Sequence, residues 1–204
     1  VVESLSSVAV VVACCAVACL VFVVRSQRAG RVGSVGPLPC RSREIGVRDI
    51  LVGTSPLGGI NEEMDDDEAE EMVERCVEVG FREFDTAPHY GLGVAEERLG
   101  AGLRRGCAKV TRTRRAASAI LRDEVRVWTK VGRVIKAKDA VEAGDVVEAA
   151  NLPGSESTIY LDSPVDAVPV LDYSAEGAAR SYAQSVERLG PGVVVAGLRC
   201  HDPE

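Results

Sequence analysis

Between Asp49 and Cys200 the apolar positions follow two alternating rhythms. Short β-favouring runs are separated by stretches in which apolar residues return every three or four positions, the pattern of an α/β fold built on a parallel sheet. Asp49 to Thr54 predicts a first strand, and Ser55-Pro56-Leu57-Gly58-Gly59 the loop at its carboxyl end. Asp65 to Val79 predicts a helix. Acidic residues in its first turn complement the dipole, Ala69, Met72, Val73, Cys76 and Val77 form its apolar face, and Gly80 stops it. Phe81 to Asp85 predicts a second strand, and Ala95, Leu99 and Leu103 then return at helical spacing, with Gly106 expected to end that helix.

Lys109 to Arg122 is Arg-rich without a clear period and predicts an exposed insertion. Val125 to Lys130 predicts the third strand. The connection from Gly132 to Ser174 is long, and loops of that length in a compact domain usually carry function. Within it Thr158 to Leu161 and Val165 to Leu171 are expected to pair as a hairpin that walls a pocket. Glu176 to Leu189 predicts a helix with Ala179, Tyr182, Ala183 and Val186 inward and Gly190 as its stop, and Val193 to Cys200 predicts the fourth strand.

The N-terminus departs from this alternation. Ser4 to Val24 carries no charge and is followed by Arg25, Arg28 and Arg31. A span of that length can cross a bilayer, and basic residues on its C-terminal side would keep the rest of the chain in the cytosol. A signal peptide fits less well, since its basic flank should come first. An organelle-targeting remnant and mistranslated sequence upstream of the true start remain alternatives for residues 1–28. Gly, Ser and Pro scattered through residues 29–43 predict a linker, and residues 44–204 form the α/β unit.

Composition narrows the partners. A net charge of -7 over 204 residues argues against a nucleic-acid footprint, which would be basic. Seven cysteines without a Cys-x-x-Cys pair fit reduced thiols in a cytosol-like compartment. A metal site from His89, Cys200, His201 and Asp202 lacks the close His or Cys repeat that metal binding uses, so no metal is expected.

The chemistry concentrates in Phe81-Arg82-Glu83-Phe84-Asp85-Thr86-Ala87-Pro88-His89-Tyr90-Gly91-Leu92-Gly93. There a strand breaks at Pro88 and Gly91 into a loop, and the acid and the phenol can converge above a parallel sheet, where α/β barrels keep their chemistry. The stretch resembles the signature of the aldo-keto reductases, in which an Asp ending the second barrel strand precedes a Tyr in the next loop. Lys130 and His201, each at or just beyond a predicted strand end, complete the resemblance. Within the family, Asp-Thr-Ala-Pro-His-Tyr-Gly-Leu-Gly, Thr-Lys-Val-Gly-Arg and His-Asp-Pro-Glu are most similar to aldose dehydrogenases acting on L-fucose or D-threo-aldoses, with L-galactose dehydrogenases next.

The resemblance implies a (β/α)8 barrel, of which this chain supplies the first four βα units, since a complete one needs about 250 residues. It also implies NAD or NADP as cofactor, contacts to it at Gly53, Thr54, Asp85 and Lys130, and a substrate pocket touched by His89 and Trp128. The family's phosphate and adenosine contacts come mainly from later units, so NAD and NADP are not told apart here. A free phenol, with a pKa of about 10, is a poor base at neutral pH. Lys130 is expected to lower it, Asp85 to hold Lys130 charged and aimed, and His201 to bond the oxygen of a sugar or aldehyde substrate. Two alternatives stand beside this enzyme: a non-catalytic, cofactor-binding subunit of a membrane complex, like the reductase-fold β subunits of potassium channels, and an inactive fragment.

Overall fold

The computed structural model describes residues 45–149, 152–156 and 158–203. In chain order they form β1 (Leu51–Gly53), α1 (Asp66–Val79), β2 (Glu83–Asp85), α2 (Val94–Lys109), α3 (Arg114–Asp123), β3 (Arg126–Val131), β4 (Arg133–Ala137), β5 (Val146–Val147), β6 (Ala167–Leu171), α4 (Ala175–Leu189) and β7 (Val195–Cys200). β1, β2, β3 and β7 are neighbours in that order and pair parallel throughout. The architecture is an arc of a parallel α/β barrel, as expected. Strand periodicity splits its residues between two faces. Phe84, Val127 and Thr129 are fully buried toward the helices, while Glu83, Asp85, Trp128 and Lys130 stand half-buried on the inner face.

The helix layer forms where the predicted stripes lie. Asp65 caps α1 by accepting from the Glu68 N–H at 2.7 Å, and Gly80, at φ 109°, ends it by donating to the Cys76 and Val77 carbonyls. Ala69, Val73 and Val77 then meet Ala95, Leu99 and Leu103 of α2 in one core with Phe84, Val127 and Leu189. Gly106 does not end α2, which runs on to Lys109. Gly102 and Gly106 lie one turn apart and let α1 approach: a Cβ would come 2.5 Å from Val73 Cβ at the first and 2.7 Å from Val77 Cβ at the second.

Three further expectations are corrected. The Arg-rich stretch is the helix α3, capped by Thr113; Ala117, Ile120 and Leu121 supply a narrow apolar stripe that the charges around it conceal. β6 pairs antiparallel with β4 and β5, not with residues 158–161. The latter instead bond to the loop after β1, through Asn61 N–H to the Ile159 carbonyl and Leu161 N–H to the Gly59 carbonyl. A strand that follows β3 after one residue is simply the nearer partner for β6. The expected inner face of α4 is its outer one: Gly177, Ser181, Ser185 and Leu189 are buried, while Tyr182 and Val186 are 42% and 40% exposed. Small residues are needed where α4 crosses the sheet, and Ser181 Oγ donates to the Arg133 carbonyl at 2.9 Å.

The apolar segment 4–24 and the linker 29–43 lie outside the described residues. Among the described residues no helix is long and apolar enough to cross a membrane.

Candidate active site

The four expected residues meet at the carboxyl ends of the parallel strands. Asp85 is the last residue of β2, Lys130 lies near the end of β3, and His201 follows β7, its N–H bonded to the Val131 carbonyl at 2.9 Å. Tyr90 is delivered by the loop after β2, whose next residues, Gly91 and Leu92, take left-handed φ values of 63° and 50°. Gly91 is forced by proximity as well, since a Cβ there would stand 2.9 Å from Gly58 Cα.

Lys130 joins the parts. Its Nζ donates to Asp85 Oδ2 at 3.1 Å, the Thr86 carbonyl at 2.9 Å and the Tyr90 hydroxyl at 2.9 Å, which uses all three donors of an ammonium. The His201 ring stands edge-to-face with Tyr90 at 5.9 Å and with His89 at 5.7 Å. His89 is therefore inside the cluster. Trp128 is one layer deeper on the inner face, where its Nε1 donates to Glu83. Gly53 pairs with Asp85 in register, and Thr54 donates both its N–H and its hydroxyl to the Asp85 carbonyl, so it braces the strand end.

Burial governs the electrostatics. It pushes the Tyr90 phenol up to about 12, with Asp85 and Asp202 adding to the rise and Arg199 opposing it. The expected lowering by Lys130 is thus not the net result, although the ammonium is within bonding distance. Burial also holds Lys130 below the usual lysine range against the pull of Asp85. It brings His201 down to about 4, helped by Arg133 and Lys130. His89 is lowered by burial too, with Glu148 opposing. Both imidazoles are therefore neutral at pH 7.

Several contributors carry no signal that sequence reasoning used. Arg199 bonds Asp85 Oδ1 and lies over the Trp128 ring, 5.3 Å from its centroid. Its position two residues before His201, on the same strand face, could have revealed it. Tyr160, from the long connection, sits 5.7 Å from the Tyr90 ring and shares a 2.9 Å hydrogen bond with Ser55. Arg98 anchors that connection by donating to Asp162 at 2.5 Å and to the Leu57 carbonyl at 2.7 Å. Arg133 grips Glu148 with two 2.7 Å bonds beside His89. The connection does wall the site, through contacts that its sequence does not advertise.

The donor set fits a nicotinamide and a carbonyl or hydroxyl oxygen better than a metal. Thr86 Oγ1 and His201 Nδ1 are buried beside the cluster without a hydrogen-bond partner, as groups awaiting a polar ligand would be. Among the described residues no group of three or more His, Cys, Asp or Glu could hold a metal ion.

Comparison with known proteins gives a consistent set. Residues 49–202 match the model of the Aldo/keto reductase family. D-threo-aldose 1-dehydrogenase of Pseudomonas sp is 33% identical over 152 residues, covering 74% of this chain and 39% of that protein. Pyridoxal 4-dehydrogenase of Microbacterium luteolum is 32% identical over 148 residues, 71% of this chain and 36% of that protein. L-galactose dehydrogenase of Arabidopsis thaliana is 28% identical over 158 residues, with 78% and 35% covered. The chain thus spans between 35% and 39% of the length of these relatives.

Proposed function

The chain belongs to the aldo/keto reductase family, and from that premise we propose that the whole protein is an NAD(P)-dependent oxidoreductase acting on a sugar, of the aldose 1-dehydrogenase type. The observation that carries this reading is the Lys130 ammonium bonded at once to Asp85 and to the Tyr90 hydroxyl. Two relatives are named for sugars and one for pyridoxal, which supports an aldehyde or its cyclic hemiacetal as the reacting group. Seven cysteines without a Cys-x-x-Cys pair in the sequence support a cytosolic location.

A bound nicotinamide supplies the hydride exchange. Gly53, Thr54, Asp85 and Lys130 are the residues of this chain that would hold its ring. Tyr90 exchanges the proton on the substrate oxygen. Because its phenol is pushed up to about 12, it is protonated at neutral pH and acts there as a donor, in the direction of carbonyl reduction. Sugar oxidation needs the phenolate, so its rate should climb toward alkaline pH. Lys130 aims the phenol and stabilises the phenolate, Asp85 fixes Lys130, and neutral His201 orients the substrate oxygen. Tyr160 and His89 exclude water from one side of the phenol.

The test is Tyr90→Phe in the full-length protein. Sugar-dependent reduction of NAD(P) should fall by roughly 10²-fold or more, the span of general acid–base catalysis, while cofactor binding by fluorescence titration stays near wild type. Undiminished turnover would remove Tyr90 from the mechanism.

A further inference from the structure

Asp85 faces two cations. Lys130 takes Oδ2 at 3.1 Å, and Arg199, reaching from β7 beyond β3, takes Oδ1. The register explains the convergence: Lys130 pairs with Arg199 between β3 and β7, so both side chains leave the sheet on its inner face at one level. Below them Trp128 pairs with Gly197, where a Cβ would strike the indole, and the space that glycine leaves lets the Arg199 guanidinium lie over that ring. Glu83 in turn fixes the indole through a 2.8 Å bond. Arg199 is thus seated on a fixed platform, although its side chain is 37% exposed.

We propose that Arg199 is a second cation of the catalytic cluster, a positioning residue that anchors the Asp85 oxygen left by Lys130 and shares its charge. The inference rests on the reading of Tyr90, Lys130 and Asp85 as the reacting constellation. With one oxygen held by each cation, the carboxylate cannot turn about its last torsion, and Lys130 stays aimed at the Tyr90 hydroxyl. The second effect is electrostatic. The charged groups around Lys130 are Asp85 and Asp202, which favour its ammonium, and Arg199, which disfavours it, with Tyr90 and His201 beside them. Arg199 likewise pulls the Tyr90 phenol down against Asp85 and Asp202. One guanidinium therefore makes both proton-handling groups easier to deprotonate.

Removing that charge should move Lys130 in one direction only. Arg199→Met in the full-length protein, followed by an NMR titration of the Lys130 ε group assigned with Lys130→Met, should raise the Lys130 midpoint by roughly one pH unit, the size of effect that a nearby charge has. At neutral pH kcat for sugar oxidation should fall roughly tenfold with KM little changed, and Arg199→Lys should restore most of both. If Arg199→Met does not fold, Arg199→Gln keeps a hydrogen bond to Asp85 without the charge and serves as the neutral variant. A Lys130 midpoint unmoved by either neutral variant, or an Arg199→Lys protein no better than them, would reduce Arg199 to a surface ion pair and overturn the proposal. Because the titration needs no turnover, a wild-type protein that lacks sugar oxidation, together with neutral variants that show the midpoint shift, would sink the proposed function and leave the Arg199 placement standing.

Discussion

His201 sets a pH requirement that does not depend on catalysis. Its imidazole is lowered from 6.5 to about 4 because burial and the nearby Arg133 and Lys130 oppose a further positive charge. Between those two values the unfolded chain binds the proton and the folded one does not, so stability rises with pH across that window and is lost as pH falls through it. Thermal unfolding of the full-length protein should therefore drop measurably from pH 7 to pH 4.5. His201→Gln should flatten that slope; an unchanged slope would assign the acid sensitivity elsewhere. At this scale the sequence was most legible where chemistry and strand end coincide. Asp85, Tyr90, Lys130 and His201 each follow or end an apolar run, and the structure brings them within one cluster. Arg199 escaped because a charge inside an edge strand reads as solvated, and Tyr160 because the long connection around it has no period.

Between elements, the contact of α1 with α2 depends on what is missing from α2. Gly102 and Gly106 present bare backbone to Val73 and Val77, so the helices sit closer than side chains would allow. In an exposed helix, Gly→Ala is worth up to about 1 kcal/mol of extra stability from propensity alone. Here the added methyl would meet the Val77 side chain at 2.7 Å, and overpacking a filled core costs roughly 1–3 kcal/mol. The second effect wins, so Gly106→Ala should lower the denaturation midpoint of the full-length protein; a raised midpoint would show that α1 can shift aside. A glycine late in an apolar helical pattern looks like a stop, which is why the end of α2 was misjudged by sequence. The inner face of α4 was misjudged for a related reason: Ser181 and Ser185 are small enough for a close crossing, and hydrophobicity alone selects Tyr182 and Val186 instead.

On the scale of the molecule, the sheet has two edges, β1 and β7, that are unpaired among the described residues, since the order β1-β2-β3-β7 does not close. The β7 edge is also bare on its helix side. Leu198 is 46% exposed there, and Tyr182 and Val186 of α4 add further apolar surface to the helix layer. An exposed strand edge offers hydrogen-bonding groups to another chain, and an adjoining apolar surface strengthens the pairing. Residues 43–204 taken alone should therefore self-associate, whereas a full-length protein that closes its barrel should bury both features. Sedimentation of that segment in reducing buffer, which keeps the exposed Cys200 out of the comparison, should give dimers or larger species, and titration with NAD(P) should give no tight binding. A monomer that binds NAD(P) tightly would mean that this arc of four strands is self-sufficient, and its open edges would then need another explanation.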